Sequence, residues 1–209
     1  MAQRRHGGAY LRPPLLPDEP ERLAALERYE ILDTPAEQAF DDLTLLASHV
    51  CETPIALVSL VDTDRQWFKS RVGLEIAETP RDVAFCAHAI AETGTMVIPD
   101  ALADERFAGH PLVVGDPQIR FYAGAPLRVS DGHALGTLCV IDRVPHQLSD
   151  AQQRALEALS RQVAAQLELR RQLAEVKRMR GLLPYCSSCG ALRRDMGDLC
   201  PDCVRVQAG

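Results

Sequence analysis

The sequence predicts an α+β fold in which helices pack on an antiparallel sheet and a long C-terminal helix follows. Three observations support this. Two pairs of apolar segments each flank a short polar turn, which is typical of β-hairpins. Apolar residues recur three and four positions apart before the first pair and after the second, which is the period of amphipathic helices. Four cysteines near the C-terminus stand apart from this body and indicate a small separate tail.

The N-terminal part is expected to contain two helices. Residues 1–17 are rich in Arg, Gly and Pro and show no apolar periodicity, so we expect them to be disordered. A first helix is predicted at residues 19–29. Pro35 is well placed to open the second helix, because proline is favoured at the first helical position. The second helix carries apolar residues at helical spacing, namely Phe40, Leu43, Leu46, Ala47 and Val50.

The first hairpin is predicted to join residues 55–61 to residues 66–72. The apolar run at 55–61 is typical of a buried strand, and the polar turn at 62–64 separates it from its partner. Thr79 and Pro80 then introduce a segment that we expect to be helical through Ile90.

The second hairpin is predicted to join residues 120–129 to residues 134–141. Between them lies Asp131-Gly132, a dipeptide that strongly favours a tight hairpin turn. Before this hairpin we expect a short strand at 96–99 and a loop with helical turns at 101–112.

The last helix is expected to begin at Ser149, because Gln152 three residues later completes a capping box. It runs to about residue 180, roughly 45 Å, which is longer than the domain needs for its own cover. Packing of this helix on its own sheet and pairing with a second copy both stay open. The excess length favours a homodimeric coiled coil. The expected apolar stripe is Leu156, Leu159, Val163 and Leu167.

Composition places the chain among globular proteins, with 46% hydrophobic and 25% charged residues. No apolar run approaches the ~18 residues of a membrane helix, and no apolar stretch of a secretory signal follows the N-terminus. We therefore expect no membrane association. Seven cysteines without a secreted-type framework indicate the reducing cytoplasm. The net charge of −6 argues against broad nucleic-acid binding.

Two CxxC pairs near the C-terminus indicate a metal site. Four thiolates are the ligand set of a tetrahedral structural Zn²⁺ ion, and they leave no open position for catalysis. We therefore predict a structural zinc in a zinc-ribbon-like tail at residues 182–209, with disulfides and rubredoxin-like iron as the alternatives. The predicted ligands are Cys186, Cys189, Cys200 and Cys203.

The body of the chain resembles bacterial sensory GAF domains. The motifs that carry the resemblance are RQWFKSR at 65–71, FCAHAI at 85–90, PDALAD at 99–104, RFYAGAP at 120–126 and GTLCVID at 136–142. Together they span the region expected to fold as the sheet and its covering helices. On this basis we place a GAF domain at 18–148 and a signalling and dimerisation helix at 149–181.

The resemblance implies a function in signalling. Members of this subfamily typically precede histidine-kinase or cyclic-di-GMP synthase modules, and none follows within these 209 residues. The resemblance therefore implies a stand-alone, non-enzymatic sensor that binds an unknown small-molecule ligand or a partner. Its output would reach a histidine kinase or a cyclic-di-GMP signalling protein in trans.

The GAF fold also implies a ligand cavity between the sheet and the elements that cover it. Arg120 is suited to an anionic or carbonyl-bearing ligand, because a guanidinium offers several fixed donors. The residues expected around this one cavity are Phe85, Cys86, Asp100, Phe107, Arg120 and Tyr122.

The cysteines of the body have two interpretations. Cys86, near a predicted helix start and close to His88, fits a heme, metal or redox site. A buried small side chain beside a hydrogen-bonded histidine is the interpretation that we favour. Cys51 and Cys139 lie in apolar runs and are expected in the core.

Two further functions stay open. One is a GAF-type redox enzyme resembling free methionine-R-sulfoxide reductase, which needs several cysteines converging on one pocket; the sequence around Cys86 does not match that activity. The other is a zinc-ribbon adaptor for nucleic acid. It rests on residues 170–209, which hold 8 Lys and Arg against 4 Asp and Glu.

Overall fold

The computed structural model describes residues 10–182 of the chain. They form five helices and six strands, together with a 3₁₀ turn at Arg81–Val83. In chain order these are α1 Glu19–Arg28, α2 Gln38–Cys51, β1 Ile55–Val61, β2 Arg65–Val72, β3 Glu78–Pro80, α3 Phe85–Ala89, β4 Met96–Ile98, α4 Pro111–Val114, β5 Phe121–Arg128, β6 Ala134–Asp142 and α5 Asp150–Leu182.

The six strands form one antiparallel sheet in the order β3-β2-β1-β6-β5-β4. Both predicted hairpins are present, β1 with β2 and β5 with β6, and their ends agree with the prediction to within one residue. The pairing of β1 with β6 joins the two hairpins in the middle of the sheet. The predicted α+β class is thereby confirmed.

Side chains of each strand alternate between two buried faces of the sheet. On one face, Leu138 and Val140 of β6 belong to the core that α1, α2 and α5 cover. On the other, Cys139 and Ile141 belong to the core under α3 and the segment after β4. Cys51 lies in the first core and Cys139 in the second, and both are fully buried, as predicted.

Two predicted helix starts are wrong. The second helix begins at Gln38, three residues after Pro35. The single helix expected through Ile90 is three short elements instead, β3, the 3₁₀ turn and α3. The cause is tertiary, because residues 78–80 pair with β2 as the edge strand of the sheet.

The segment before α1 is not disordered where the structure describes it. The backbone N–H of Leu11 donates to the carbonyl of Arg106 at 3.0 Å, and Leu16 packs against the core under α3. The ring of Tyr10 meets that of His110 edge-on at 4.9 Å. The prediction of disorder over residues 1–17 therefore does not hold from Tyr10 onward.

Helix α5 begins with the predicted capping box. The N–H of Ser149 donates to the side-chain oxygen of Gln152 at 3.0 Å, and the N–H of Gln152 donates back to the Ser149 hydroxyl at 3.3 Å. Most of the predicted stripe packs against the same chain, because Leu156, Val163 and Leu167 are buried in the core between α5 and the sheet. The interpretation in which this stripe packs on its own sheet is therefore the observed one.

The described chain divides after Glu168 into two units. The described part of the second unit is the last stretch of α5, whose apolar side chains Leu169, Leu173, Val176 and Met179 are exposed. The predicted zinc ligands lie outside the described residues. No helix among residues 10–182 is long and apolar enough to cross a bilayer.

Candidate functional site

A cavity of about 150 Å³ lies on the face of the sheet that α3 covers. Strands β1, β2, β5 and β6 form its floor, and α3 with the segment around α4 forms its roof. The lining is mostly aliphatic and aromatic. It consists of Ile55, Leu57, Gln66, Phe68, Leu74, Ile76, Thr79, Phe85, Cys86, Leu112, Asp116, Pro117, Ile119, Tyr122 and Ile141.

One polar group in this lining has no partner. The hydroxyl oxygen of Thr79 is buried, and no hydrogen bond to it occurs within residues 10–182. By contrast, the side-chain oxygen of Gln66 accepts from the Ser59 hydroxyl at 3.3 Å. A buried polar atom without a partner costs free energy, so the Thr79 hydroxyl is suited to a polar atom of a bound molecule.

Aromatic rings back the cavity on the α3 side. Phe85 stacks on Phe107, with ring centroids 4.4 Å apart, and its ring also neighbours those of His110 at 4.8 Å and Tyr122 at 5.2 Å. Phe107 is fully buried behind Phe85 and does not line the cavity. Phe107 therefore fixes the Phe85 ring by contact and does not face the cavity itself.

The structure brings together three of the six residues that the sequence predicted for the cavity. Phe85, Cys86 and Tyr122 line it, whereas Asp100, Phe107 and Arg120 do not. Asp100 caps its own turn, since its carboxylate accepts from the N–H of Leu102 at 3.0 Å. Ligand binding by any of these residues stays a prediction.

Arg120 has a different position from the one expected. It precedes β5, and its guanidinium donates to the carbonyls of Val113 at 2.9 Å and Ile119 at 3.1 Å. These contacts hold α4 and the residues after it, the segment that contributes Leu112 and Ile119 to the cavity wall. The guanidinium therefore stabilises the wall of the cavity and does not project into it.

The most unexpected contact in the site joins two cysteines. The sulfur atoms of Cys86 and Cys139 lie 3.7 Å apart, and the Tyr122 hydroxyl donates to the Cys86 sulfur at 3.4 Å. Burial raises the pKa of the Cys86 thiol, but the hydrogen bonds from Cys139 and its other neighbours outweigh burial and leave that pKa below its usual value. Both thiols are free in this structure.

The pairing of β5 with β6 accounts for the position of Cys139. Cys139 lies opposite Gly124, beyond an irregularity in the register between Pro126 and Arg128, and directly opposed residues project from the same face. Tyr122, two residues before Gly124, shares that face. The predicted core position of Cys139 is therefore correct, but its contact with Cys86 was not predicted.

His88 and His110 lie next to the cavity on its outer side. His88 contacts the Phe107 ring edge-on at 5.0 Å, and the His110 ring nitrogen accepts from the N–H of Leu112 at 3.2 Å. Burial lowers the pKa of His110 to about 4 and also lowers that of His88. Neither histidine meets Cys86 in a shared site, and no group of three or more metal-ligating side chains occurs among the described residues.

A larger groove of about 620 Å³ runs along α1, but it is an open surface feature. It is bordered mainly by Leu23, Ala24 and the turn after α1, with Asp62 and Thr63 at one end. No buried polar side chain without a partner borders it among the described residues. The cavity under α3, which is less open than this groove, is therefore the better candidate site.

Comparison with known proteins agrees with this architecture. A family model described as GAF domain matches residues 35–167. A cyclic di-GMP phosphodiesterase of Pseudomonas aeruginosa is 41% identical over 171 residues, which are 81% of this chain and 29% of that protein. The chain therefore spans less than a third of the length of this curated relative.

Two solved structures show the same fold at low identity. The GAF domain of an Acinetobacter phosphoenolpyruvate-protein phosphotransferase superposes with a TM-score of 0.54 at 17% identity, over 73% of this chain and 94% of that one. A free methionine-R-sulfoxide reductase from Neisseria meningitidis, in complex with its substrate, gives 0.54 at 19% identity, over 79% and 99%. At these identities the likeness establishes the fold alone.

Proposed function

The chain belongs to the GAF domain family, and we propose that it is a regulatory module whose ligand occupies the cavity under α3. The ligand is a small, largely apolar molecule about the size of one aromatic ring, with one polar atom. Its binding acts on α5, which lies on the opposite face of the same sheet.

The cavity is the observation that carries this proposal. Ligand pockets are typically concave, mostly apolar and fitted with a few polar groups. A volume of 150 Å³ is small for such a pocket, but an apolar cavity of about this size can hold a benzene molecule. The unpartnered Thr79 hydroxyl supplies one hydrogen-bonding position at the wall.

The nature of the partner is proposed from the relative. The matched protein of P. aeruginosa is named a cyclic di-GMP phosphodiesterase, and the chain matches only 29% of it. We therefore propose that the chain regulates a cyclic-di-GMP signalling protein, with a histidine kinase as the second candidate. Regulation acts in trans through a homodimer formed along α5.

The tail is proposed to hold one structural zinc. Its four cysteines lie outside the described residues, and the support is their type and spacing alone. Thiolate pairs at two CxxC motifs match a structural Zn²⁺ site. The ion would stabilise the tail, because a segment of this size has little core of its own.

A redox enzyme is the second candidate, and one observation favours it. Cys86 and Cys139 converge beside the cavity, which is a feature that sulfoxide reduction by thiols requires. Incubating the protein with free methionine sulfoxide and a thiol reductant tests this candidate directly. Release of methionine that depends on Cys86 would establish it, whereas a rate equal to that of the reductant alone would exclude it.

The ligand proposal is tested with two probes of equal shape, benzene and phenol. Thermal unfolding of the full chain is measured with each probe, because a ligand of the folded state raises the melting temperature. We expect both to stabilise the wild type, and phenol to stabilise it more. Thr79→Val keeps the side-chain shape and removes the hydroxyl, so it should abolish the advantage of phenol and leave the effect of benzene.

Thr63→Val is the matched control, since Thr63 is exposed and lies outside the cavity. It should leave the responses to both probes unchanged. A second variant, Leu57→Trp, fills the cavity and should abolish both responses if it remains folded. Failure of benzene and phenol to stabilise the wild type at any soluble concentration would refute a ring-sized ligand in this cavity.

A further inference from the structure

We propose that Cys86 and Cys139 form a redox-active dithiol, in which a small hydroperoxide that enters the cavity oxidises Cys86 and Cys139 completes a disulfide. The site is independent of the ring-sized ligand proposed above, because it needs only the cavity and the two thiols.

The separation of the two sulfur atoms is the first argument. At 3.7 Å they are in van der Waals contact, and a disulfide needs about 2.05 Å. Cys139 lies within β6, which is paired on both sides by β1 and β5. Cys86 lies on the five-residue helix α3, which packs on the sheet without strand pairing. The approach therefore requires a small adjustment of α3 and none of the sheet.

The two cysteines differ in access to the cavity. Both cysteines are buried, with 1% of Cys86 and 0% of Cys139 exposed, but Cys86 is one of the residues that line the cavity and Cys139 is not. A small molecule in the cavity therefore meets the Cys86 sulfur first. Cys139, directly behind it, is placed to react only with Cys86. This order is that of an attacking and a resolving cysteine.

The surroundings favour the thiolate at Cys86. The Tyr122 hydroxyl donates to its sulfur at 3.4 Å, and the Cys139 sulfur lies 3.7 Å away, where either thiol is able to donate to the other. The Thr137 hydroxyl also faces the pair and lacks any other partner in the described chain. The contact with Cys86, followed by burial, raises the pKa of Cys139, so that thiol keeps its proton and donates it. Thiolates, not thiols, are the nucleophiles in such reactions.

The reaction balances as two thiols and one hydroperoxide. The Cys86 thiolate attacks the terminal peroxide oxygen, the O–O bond breaks, and the leaving alkoxide or hydroxide takes a proton. Cys86 is then a sulfenic acid. The Cys139 sulfur, on losing its proton, attacks the Cys86 sulfur, the S–O bond breaks, and water leaves. The thiols lose two electrons and two protons, and the peroxide becomes an alcohol and water. A low-molecular-weight thiol returns the pair to the reduced state.

Cys51 offers a matched comparison within the same domain. It is as buried as Cys139 but lies in the other core, on the far side of the sheet. Burial raises the pKa of its thiol to about 11, and it has no sulfur neighbour among the described residues. We therefore expect Cys51 to stay reduced under conditions that oxidise Cys86.

The test treats the reduced full chain with hydrogen peroxide, blocks free thiols, and maps disulfides by mass spectrometry after trypsin digestion. Cys86 and Cys139 fall on separate tryptic peptides, residues 82–106 and 129–143. We expect these peptides to be joined in the wild type and in Cys51→Ala. In Cys139→Ala, Cys86 should stop at the sulfenic acid and be labelled by dimedone. Cys86→Ala should leave Cys139 unlabelled.

Thermal unfolding of each variant establishes that it is folded before its labelling is interpreted. Oxidation of glutathione in a parallel sample establishes that the oxidant is active. Absence of the joined peptides from the wild type in that case would overturn the proposal. Dimedone labelling of Cys51 as fast as that of Cys86 would overturn it as well, because the reaction would then be non-selective. Neither result bears on whether benzene or phenol binds.

Discussion

The hydroxyl group of Tyr122 lies over Gly124, the residue two positions further along β5, so closely that a Cβ atom on Gly124 would overlap it. Gly124 pairs across the sheet with Cys139. The missing side chain therefore leaves room for the phenol ring to lie along the strand and for its hydroxyl to reach the Cys86 sulfur. Glycine at this position is required by side-chain packing, since its backbone conformation is open to other residues.

Gly124→Ala is therefore expected to destabilise the domain by about 1–3 kcal/mol, the usual cost of overpacking a core. The new methyl group displaces the Tyr122 ring, which is fully buried and has no space to move into. Urea unfolding of the wild type and the variant measures the change in the free energy of unfolding.

Gly94→Ala is the control, because a Cβ atom at Gly94 meets no other atom within 4 Å. It should be nearly neutral. Adding Tyr122→Phe to Gly124→Ala should recover part of the lost stability, since it removes the hydroxyl, the closest of the three Tyr122 atoms that clash with the new methyl group. If the free energy of unfolding of the double variant is no higher than the value predicted by adding the effects of the two single variants, this account is contradicted.

Glu19 is expected to stabilise the fold through a buried ion cluster. Its carboxylate accepts from Arg22 and from Arg81, each at 2.6 Å, and both guanidinium groups are almost entirely buried. Glu19→Gln leaves these two buried charges uncompensated and should cost about 3–5 kcal/mol. Glu78→Gln, which removes an exposed partner of Arg65, should cost no more than about 1 kcal/mol. Chemical denaturation at neutral pH compares the two variants.

The contribution of Glu19 is also expected to depend on pH. Burial raises the pKa of Glu19, but the hydrogen bonds from Arg22 and Arg81 outweigh it and lower that pKa from 4.5 to about 2. Because the folded-state pKa is the lower one, the stabilisation is complete above pH 4.5 and is lost as the pH falls from 4.5 to about 2. The difference in stability between wild type and Glu19→Gln should shrink across this window. A difference that stays constant down to pH 2 would contradict the assignment.

Arg120→Ala is expected to loosen the wall of the cavity. It removes two hydrogen bonds from a charged donor to the carbonyls of Val113 and Ile119, worth about 1.5–3 kcal/mol in stability. The stabilisation by phenol should weaken with it, because residues 111–119 contribute to the lining. Arg106→Ala, which breaks a half-exposed pair with Asp104, is the control and should cost less than about 1 kcal/mol. Equal losses in the two variants would show that the Arg120 contacts have no special role.

The homodimer is expected to depend on the end of α5. The predicted stripe of α5 is largely buried in the core of the same chain. The exposed apolar residues that could pair with a second copy are Leu169, Leu173 and Val176, spaced four and three apart. Sedimentation on the order of 10 µM should show a dimer for the wild type and a monomer for the double variant Leu173→Glu, Val176→Glu. Glu175→Lys is the control. It changes an exposed charge about 120° around the helix from Leu169 and should leave the dimer intact. A monomeric wild type would rule out this mode of signalling.

One zinc ion per chain is expected in the purified protein. Metal analysis without exposure to chelators should return close to one equivalent, and Cys200→Ser should lower it sharply, because Cys200 is one of the four proposed thiolate ligands. Cys51→Ser should retain the metal. The melting temperature of the GAF domain should be nearly the same in Cys200→Ser as in the wild type. Less than half an equivalent of zinc in the wild type would contradict the proposed zinc site.

The strands and the long helix were predictable from the sequence because their signals are local. The turn at Asp131-Gly132 and the apolar run at 55–61 specify hairpin positions without reference to the rest of the chain. The segment through Ile90 was not predictable in the same way. Residues 78–80 became a strand because β2 offered a free edge to pair with, and no local pattern reports a free edge.

The residues of the candidate site were likewise predictable only in part. Phe85, Cys86 and Tyr122 were found through the family resemblance, and they do line the cavity. Arg120 was misplaced, because its residue type fits ligand binding and carbonyl binding equally well. Thr79 was overlooked altogether, because an unsatisfied hydroxyl is defined by what surrounds it in space.

The alternation along β6 places neighbouring residues on opposite faces of the sheet, one under α3 and the other under α5. Cys139 is one of the two cysteines of the proposed dithiol, and Leu138 and Val140, its neighbours in the chain, pack in the core beneath α5. A cavity ligand that displaced β6 at Cys139 would therefore act on the helix layer through a single peptide bond on either side. The sheet between the two cores is only one backbone thick, so the proposed communication would pass between adjacent residues of one strand.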